Sequence, residues 1–324
     1  MMKKVVFIKE ALPGGTENYC TGLYDLFSGD PDVTILPVKR IPQIESRLLH
    51  YRYDKEVLRE HIQDADIVHI NGYTAQGTID ALKLSHALGK KIVYTAHFHP
   101  FQYLGKPFFA KLFFNVLLKP LINRYADVVT TINDEDTAFF KSFHHNVVRI
   151  PHWNRYVTAG IEANHKKRNP RMILFVGRIN DHVKNFQQLF ALEEGKYEIH
   201  CVGKGHLTEM RNDIILHEEV SYSELSDLYR QASLLVAPSK YEAFSFVVLE
   251  ALSHGTPVVM SERVRIADHL DGIRGYSIFQ YDDSSDFINK VENTIGTEVD
   301  IEEVFIRFNP IAIAKKYKEL YMSL

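Results

Sequence analysis

Features typical of secreted, disulfide-rich or membrane-spanning proteins are scarce in this chain of 324 residues. Its two cysteines, Cys20 and Cys201, fall in different halves, so no disulfide framework is implied and a cytoplasmic setting is expected. No apolar run is long enough for a membrane-spanning helix. Near the N-terminus, the apolar run after two lysines is too short for a signal peptide and predicts a first strand.

Acidic residues are missing from one long part of the chain. The net charge is −3, with 18 Lys and Arg against 16 Asp and Glu in residues 1–150 (+2), which leaves 20 against 25 in residues 151–324 (−5). Between Asp80 and Asp127 there is no acidic residue, whereas Lys and Arg occur seven times. A stretch with one sign of charge can attract an anionic surface.

Short apolar runs alternate with amphipathic stretches along both halves of the chain. Runs such as "DIVHI" and "SLLVAPS" predict strands, and stretches such as "TENYCTGLYDLF" and "SYSELSDLYRQA" predict helices. Continuous apolar strands between helices favour parallel sheets that are covered on both faces. The series restarts after the polar segment 150–171, which predicts an interdomain linker. The expected fold class is α/β, with two doubly wound domains facing a cleft and ligands beyond the carboxyl ends of the strands.

Two glutamates bracket an apolar run in the segment "YEAFSFVVLEALSHG" (241–255). Glu242 follows a predicted strand, and Ser245 is the predicted N-cap of a short helix that contains Glu250 and ends at Gly255. In a structural interpretation, Glu242 complements the helix dipole and Glu250 pairs with a nearby Arg or Lys. In a functional interpretation, the helix N-terminus faces a phosphate, and the two carboxylates accept hydrogen bonds from hydroxyl pairs of a ribose and a sugar.

The segment "FVGRINDHVKN" (175–185) places two cations after the first strand of the second half. Gly177 permits a tight turn, and Arg178 and Lys184 flank a loop before a predicted helix "VKNFQQLFALEE". A guanidinium fork together with an ammonium group is typical of diphosphate binding. The alternative is that both side chains are solvated surface residues.

Two weaker candidates lie in the first half. Gly14 and Gly15 form a turn between the first strand and the first helix, where backbone amides can approach an anion. His97 ends a predicted strand, at the position expected for a polar active-site group, and His99 is assigned to the following loop. No third ligand is evident near the two histidines, so no metal site is predicted.

Together these segments resemble the retaining glycosyltransferases of the GT-B fold, family 4. "PSKYEAFSFVVLEALSHGTPVV" resembles the E-x(7)-E signature, and "VGRINDHVKN" resembles the family's Gly-Arg-loop-Lys element. "PGGTE" resembles its glycine loop, and "TAHFHP" its active-site histidine segment. The resemblance implies an acceptor-binding Rossmann-like domain at 1–155, a donor-binding Rossmann-like domain at 156–306, and a C-terminal helix at 307–324 that crosses back to the first domain.

The resemblance also implies a role for each matching position. Glu250 would hold the ribose hydroxyls of a nucleotide sugar, and Glu242 would contact hydroxyls of the transferred sugar. Arg178 and Lys184 would neutralise the leaving diphosphate, and His97 would approach the reacting carbon. The remaining donor-binding positions belong to the glycine turns and the helix N-terminus: Gly14, Gly15, Gly177, Phe244, Ser245, Phe246 and Val247. No metal and no other cofactor is expected, because the cationic side chains take the metal's part.

The chain departs from the family pattern in places. The signature often has glycine where this chain has Ala243 and Ser245. Both residues are small and are expected to be tolerated, although alanine does not adopt a positive φ cheaply. In "ERVRIADHLDG" (262–272), Asp268 stands near the position where the family usually has a glutamate.

The function expected from this resemblance is that of a metal-independent retaining glycosyltransferase. It would transfer a hexose or N-acetylhexosamine from a nucleotide diphosphate sugar to a glycan or lipid-linked acceptor, in cell-surface polysaccharide or lipopolysaccharide biosynthesis. One alternative is another GT-B enzyme, such as a nucleotide-sugar epimerase or an inverting transferase. The other is a degenerate, non-catalytic protein that binds nucleotide sugars.

A mixed basic and apolar segment, 104–126, allows two interpretations. In the first, it is a buried helix, kinked at Pro120, that packs on the first sheet. In the second, it is a membrane-surface helix that gives access to a lipid-linked acceptor. Both can hold if the lysines point outward, and residues 81–126 would then contact the anionic inner leaflet of the cell membrane peripherally. No nucleic-acid partner is expected.

Overall fold

The computed structural model of the chain describes residues 2–9, 15–36, 43–46, 50–72, 76–97, 99, 111–153, 168–206, 211–218 and 220–324. It divides into two compact units, one of Met1–Arg155 with Pro310–Leu324 and the other of Tyr156–Asn309. Each unit is built on a six-stranded sheet. All strand pairs in both sheets are parallel, as the continuous apolar runs predict.

The first unit contains eight described strands, namely β1 Lys3–Lys9, β2 Val33–Ile35, β3 Gln43–Ser46, β4 His50–Tyr53, β5 Ile67–Asn71, β6 Lys91–Thr95, β7 Val128–Thr131 and β8 Val147–Arg149. Its parallel sheet has the order β2-β1-β5-β6-β7-β8. β3 and β4 form a separate antiparallel hairpin. Neither the hairpin nor β8 was predicted, because their short segments lack a continuous apolar run.

Helices cover both faces of this sheet and close two apolar clusters against it. They are α1 Gly15–Leu26, α2 Lys55–Ile62, α3 Gln76–Ala87, α4 Lys119–Tyr125 and α5 Asp134–Lys141. Short polar residues start two of them: the side chain of Asp54 caps α2, and that of Asn133 caps α5. The cores on the two faces leave the carboxyl ends of the strands as the place where polar side chains can gather.

The second unit repeats this architecture with strands β9 Asn169–Val176, β10 Glu198–Val202, β11 Ile214–His217, β12 Ala232–Ala237, β13 Val258–Ser261 and β14 Tyr276–Phe279. Its sheet has the order β11-β10-β9-β12-β13-β14. The described α-helices of this unit are α6 Tyr222–Gln231, α7 Phe246–Ser253, α8 Ser284–Thr294 and α9 Ile301–Arg307. Because β9 and β12 are neighbours, the loops that follow them leave the same edge of the sheet side by side.

The prediction of an α-helix over "VKNFQQLFALEE" is wrong. The segment forms a single 3₁₀-helix, Phe186–Ala191, preceded by Asn185 in a left-handed backbone conformation with φ 52°. Asparagine tolerates this conformation better than most residues, and it prevents an α-helix from starting earlier. Phe186 and Leu189, three residues apart, are the buried contacts of the turn, which matches the three-residue period of a 3₁₀-helix.

The last helix, α10 (Pro310–Met322), belongs to the first unit. It packs on α1 and β2 and buries Tyr317 and Tyr321 completely. The Tyr321 hydroxyl lies 2.7 Å from Nδ1 of His69 on β5, and Nε2 of His69 lies 2.5 Å from Oγ1 of Thr95 on β6. The C-terminal helix is therefore hydrogen-bonded into the centre of the first sheet.

Residues 114–125 pack on the first sheet, but the expected kink takes another form. Phe114–Leu118 is a π-helical turn that leads directly into α4, where Pro120 is the second residue. Proline has no N–H to continue the regular α-helical hydrogen bonds, and the widened turn precedes it. The inward face is formed by Phe114, Leu118 and Ile122, which are all buried in the apolar cluster. Residues 104–110 of the predicted segment lie outside the described residues.

The buried histidine of β5 makes stability pH-dependent. Burial is the main cause that lowers the pKa of His69 to about 3, whereas the unfolded chain binds a proton near pH 6.5. The folded pKa is depressed, so the stabilisation is complete above pH 6.5 and is lost progressively as the pH falls towards 3. Urea unfolding at several pH values, followed by the fluorescence of the chain's single tryptophan, buried Trp153, would measure this in the first unit.

The variant His69→Gln should reduce the pH slope of the unfolding free energy in this window by up to one proton, or about 1.4 kcal/mol per pH unit. His206→Gln, at an exposed position of the second unit, is the matched control and should keep the wild-type slope. An unchanged slope in His69→Gln would show that His69 is protonated equally well in the folded and unfolded chain.

Candidate active site

Two glycine-containing loops pack against each other at the carboxyl edge of the second sheet. The loop after β9 donates from Gly177 N to Val202 O (2.9 Å) and from Ile179 N to Lys204 O (3.0 Å). A Cβ atom on Gly203 would lie 2.2 Å from the carbonyl oxygen of Gly177, which is too close for any other residue. The backbone of one loop therefore lies directly against the backbone of the other. A tight turn of this kind was predicted at Gly177.

Glu242 and Lys184 meet at this edge. Nζ of Lys184, from the loop after β9, lies 3.0 Å from Oε1 of Glu242, from the loop after β12. Oγ of Ser239 donates to the same oxygen at 2.5 Å. The side chains of Lys184 and Glu242 are 24% and 17% exposed, so the ion pair is only partly screened by solvent. The carboxylate is thus held in place by two donors from different parts of the chain.

The backbone of Glu242 is fixed as well. It forms a parallel bridge with Val264, in which Glu242 N donates to Arg263 O (3.2 Å) and Arg265 N donates to Glu242 O (2.9 Å). The 3₁₀-helix Arg265–His269 follows directly and contains Asp268. The segment after β13 therefore runs beside the signature glutamate, and it orders the loop that carries it.

Arg178 does not join the Lys184–Glu242 pair. Its guanidinium contacts Oδ2 of Asp181 at 2.5 Å, three residues further along the same loop, and its side chain is 70% exposed. The two cations predicted to act together thus have different acid partners. A long, exposed arginine side chain in a surface ion pair is weakly held and can change partner at little cost.

The strained residue is Ser245, whereas Ala243 does not have a positive φ. Among the described residues, positive φ values outside glycine occur at Asn185, Ser245 and Asp282, and that of Ser245 is 136°. Ser245 is buried, and its hydroxyl accepts from Val248 N at 3.5 Å, so it is the N-cap of α7 as predicted. The chain turns sharply at Ser245 and directs the first amides of α7 towards the edge that carries Glu242.

Glu250 lies one helical turn further into α7. Its carboxylate accepts a hydrogen bond from the hydroxyl of Tyr229 on α6 at 2.9 Å. The ring of Tyr229 is fully buried and stacks against His254, with 5.3 Å between ring centroids. This hydrogen bond from the Tyr229 hydroxyl fixes the orientation of the Glu250 carboxylate. The end of α7 is as predicted, with His254 at the C-cap and Gly255 at φ 74°.

His97 belongs to the first unit, where it is buried directly after β6. Its Nε2 lies 2.9 Å from Oδ1 of Asn71, the last residue of β5. Burial lowers the pKa of His97 to about 3, so the ring is neutral at physiological pH. His152 stacks against it at 5.8 Å, and Tyr19 meets it edge-on at 4.7 Å.

The remaining predicted positions are only partly described. Gly14 lies outside the described residues, and Gly15 is the first residue of α1. Phe244 packs against His269 and Phe308, and Phe246 meets Phe244 edge-on. Within the described parts of the chain, no group of three or more His, Cys, Asp or Glu side chains is arranged to hold a metal ion.

Three partners of the site were missed by the sequence analysis: Ser239 beside Glu242, Tyr229 beside Glu250 and Asn71 beside His97. Ser239 and Asn71 both lie at or just after the carboxyl end of a strand, as the predicted functional residues do, and that position was the available signal. Tyr229 lies inside a helix, and nothing local distinguishes it from a core tyrosine.

Two parallel six-stranded α/β units, with a C-terminal helix that belongs to the first, define the GT-B class of glycosyltransferase folds. The family described as glycosyl transferases group 1 matches residues 170–296, and glycosyltransferase family 4 matches residues 19–153. The chain belongs to these glycosyltransferases.

Individual relatives are more distant. The chain is 26% identical over 176 residues to the O-antigen chain mannosyltransferase of Salmonella typhimurium, a match that covers 50% of this chain and 49% of that protein. The curated relatives are matched over at most 49% of their own length. The structure of Anabaena HepE in complex with UDP-glucose has a TM-score of 0.74 at 16% identity and covers 100% of both chains. A lipopolysaccharide outer core galactosyltransferase has a TM-score of 0.73 at 18% identity, covering 99% of this chain and 100% of that chain.

The strain at Ser245 predicts a stabilising substitution. Ser245→Gly should raise the free energy of unfolding of the second unit by about 0.5–1 kcal/mol, because the strain that glycine relieves at φ 136° exceeds the cost of its extra freedom in the unfolded chain. The same substitution removes the long capping hydrogen bond of Ser245, and this loss offsets only a few tenths of a kcal/mol of the gain in stability. Ser245→Ala removes the cap and keeps the strain, so it should be destabilising. Calorimetry of the wild type and the two variants measures the order of their stabilities. A glycine variant less stable than the wild type would show that Ser245 is not strained.

Proposed function

We propose that this protein transfers a hexose or N-acetylhexosamine from a nucleotide diphosphate sugar to a glycan or lipid-linked acceptor, with retention of anomeric configuration and without a metal ion. The second unit would bind the donor, and the first would bind the acceptor. The observation that carries the proposal is the cluster of Glu242, Lys184 and Ser239 at the carboxyl edge of the second sheet, beside the N-terminus of α7.

The geometry around Glu242 suits a sugar ligand. Among the described residues, both hydrogen bonds to its carboxylate fall on Oε1, which leaves Oε2 as an acceptor for a sugar hydroxyl. Glu250, oriented by Tyr229, would accept from the ribose hydroxyls of the nucleotide. The amides of Phe246 and Val247, in the first turn of α7, would donate to the diphosphate between them.

Glycosyl transfer is favoured by positive charge beside the donor bond that is cleaved. The bond between the anomeric carbon and the phosphate oxygen breaks through an oxocarbenium-like state, and negative charge grows on the departing phosphate. Lys184 would meet that charge directly, and the exposed Arg178 would exchange Asp181 for the diphosphate. Fixed donors aimed at developing charge are often the largest single catalytic contribution. These two cations are the reason for proposing that no metal is required.

Similarity to other proteins supports the sugar and acceptor classes. The matched relative is named for adding mannose to O-antigen chains, one structural neighbour for a lipopolysaccharide galactosyltransferase activity, and another was crystallised with UDP-glucose. We therefore propose a hexosyl donor and an acceptor that belongs to a cell-surface glycan. In the first unit, the neutral ring of His97 would form a hydrogen bond with a substrate hydroxyl.

The full chain should be incubated with a panel of nucleotide diphosphate hexoses and N-acetylhexosamines in EDTA, and release of the nucleoside diphosphate should be measured. Release that depends on one donor, with the product's anomeric configuration retained by NMR, supports the proposal. An inverted product would identify the inverting alternative. Donor binding in a thermal-shift assay without release or transfer would identify the non-catalytic alternative. Activity that needs a divalent cation would overturn the metal-independent part.

Substitutions at the ion pair should nearly abolish turnover. Lys184→Ala and Glu242→Gln should each lower kcat by about 10²-fold or more, because each removes one preorganised contact to the donor. The pair Lys196 and Glu292 in the same unit is the matched control: it has the same two residue types but lies on the surface, with side chains 42% and 44% exposed. Lys196→Ala and Glu292→Gln should retain wild-type kcat, and equal losses in both pairs would contradict the assignment.

We also propose that the first unit contacts an anionic membrane surface. Three apolar side chains of the segment 111–125 are exposed, Leu112 (51%), Val116 (61%) and Leu117 (42%), beside the exposed Lys111 and Arg124. An amphipathic surface with basic flanks is typical of interfacial helices. None of the described helices combines the length and apolar character needed to cross a membrane.

The membrane proposal is tested by co-sedimentation with vesicles of phosphatidylcholine alone or mixed with phosphatidylglycerol. Wild-type protein should pellet more with the anionic vesicles, and Val116→Asp should lose most of that difference. Ile306→Asp is the matched control, since Ile306 is 62% exposed but lies in the second unit. Equal partitioning of the wild type to both kinds of vesicle would contradict the proposal.

A further inference from the structure

Asn71 connects His97 to the centre of the first sheet. The two side chains are 1% and 8% exposed, and the distance from Asn71 Oδ1 to His97 Nε2 is 2.9 Å. Asn71 is the last residue of β5, and His97 follows β6, the next strand in the sheet. The register pairs Asn71 with Thr95, so the contact between the two side chains follows from the strand pairing.

The orientation of the Asn71 amide is determined by its second hydrogen bond. Nδ2 of Asn71 donates to the carbonyl oxygen of His69 at 3.0 Å, and the carbonyl group Oδ1 is therefore the end that faces His97. An amide oxygen only accepts, so Nε2 of His97 must carry the proton and donate. In a neutral imidazole the other nitrogen, Nδ1, then has a lone pair and accepts.

The surroundings of His97 keep its ring neutral. Among the described residues, the groups that face it are Tyr19 from α1, His152 on one ring face, Asn71 at the ring edge, and His69, whose charge would oppose that of His97. None of these is a carboxylate, and burial lowers the pKa of His97 to about 3. The tautomer chosen by Asn71 is consequently the form present at physiological pH.

The chain of contacts extends to the C-terminal helix. His69, whose carbonyl orients Asn71, is itself hydrogen-bonded to Tyr321 of α10 and to Thr95. The alternative orientation of the Asn71 amide is unfavourable, because it would set Oδ1 against the carbonyl oxygen of His69 and leave that contact without a proton.

We propose that Asn71 is a positioning residue that holds His97 in the tautomer protonated at Nε2, so that Nδ1 is presented to substrate as a hydrogen-bond acceptor. This rests on the proposed function, in which His97 meets the substrate. The group that binds at Nδ1 is then a donor, a hydroxyl of the transferred sugar or of the acceptor. A phosphate oxygen or a carbonyl oxygen would find no proton there.

The tautomer can be read in the free protein, independently of any activity. Two-bond ¹H–¹⁵N NMR correlations distinguish Nε2–H from Nδ1–H imidazoles, and His97→Gln identifies the His97 signals among the 16 histidines. The expected result is a neutral ring protonated at Nε2 at pH 7 in the wild type. A ring protonated at Nδ1, or a charged ring, would overturn the proposal. This measurement decides the tautomer even if the chain transfers no sugar.

Kinetics then test the role of Asn71. Asn71→Ala frees the ring to take the other tautomer, and kcat should fall by about 10- to 100-fold with little change in KM for the donor. Asn71→Asp keeps an acceptor at Nε2 but adds a negative charge that favours protonated His97. The acidic limb of its kcat profile should therefore move to higher pH than in the wild type.

Tyr321→Phe is the control for loss of structure. It removes one hydrogen bond from His69 and should lower stability, but it leaves the Asn71–His97 contact in place, so kcat and its pH profile should stay as in the wild type. Wild-type kcat in Asn71→Ala, or an unshifted profile in a folded Asn71→Asp, would overturn the positioning role. Loss of activity in Tyr321→Phe equal to that in Asn71→Ala would do the same.

Discussion

The ion pair between Lys184 and Glu242 connects two loops at the carboxyl edge of the second sheet. It joins two loops whose residues are 58 positions apart in the chain and which become neighbours only because β9 and β12 pair in parallel. Parallel strands end at the same edge, so their loops deliver side chains to one place. At this partly buried edge the carboxylate and the ammonium attract each other with less screening than in bulk water, and both lie where a donor sugar and diphosphate would bind.

The polar centre of the first unit differs in its chemistry from the charged edge of the second. Its polar centre contains histidines, threonines and tyrosines that are buried and neutral, and the C-terminal helix supplies part of it through Tyr321. Burial keeps His69 and His97 uncharged, since the folded interior penalises the imidazolium form. One unit thus carries paired charges suited to a phosphate-bearing ligand, and the other carries neutral hydrogen-bonding groups suited to hydroxyls.

Much of the second unit's site could be predicted from sequence because its signals are local. The strand, the cap at Ser245, the helix and the glycine at 255 follow from turn and capping chemistry, and they place Glu242 before α7 and Glu250 inside it. The location of the strain could not be predicted, because Ala243 and Ser245 are both small and only the path of the folded backbone decides which one takes a positive φ. The α-helix expected after Lys184 was wrong for a similar reason, because the folded backbone takes a left-handed conformation at Asn185.

By itself, the sequence determined the α/β class, the parallel sheets and the principal acidic and basic residues, since apolar periodicity and strand-end chemistry are written in short segments. Tertiary structure alone decided the partners: Ser239 and Lys184 on Glu242, Tyr229 on Glu250, and Asn71 on His97. Hydrogen bonds between side chains depend on distances of a few tenths of an ångström across strands that are remote in the chain. No local pattern encodes those distances, and only the register of the folded sheets sets them.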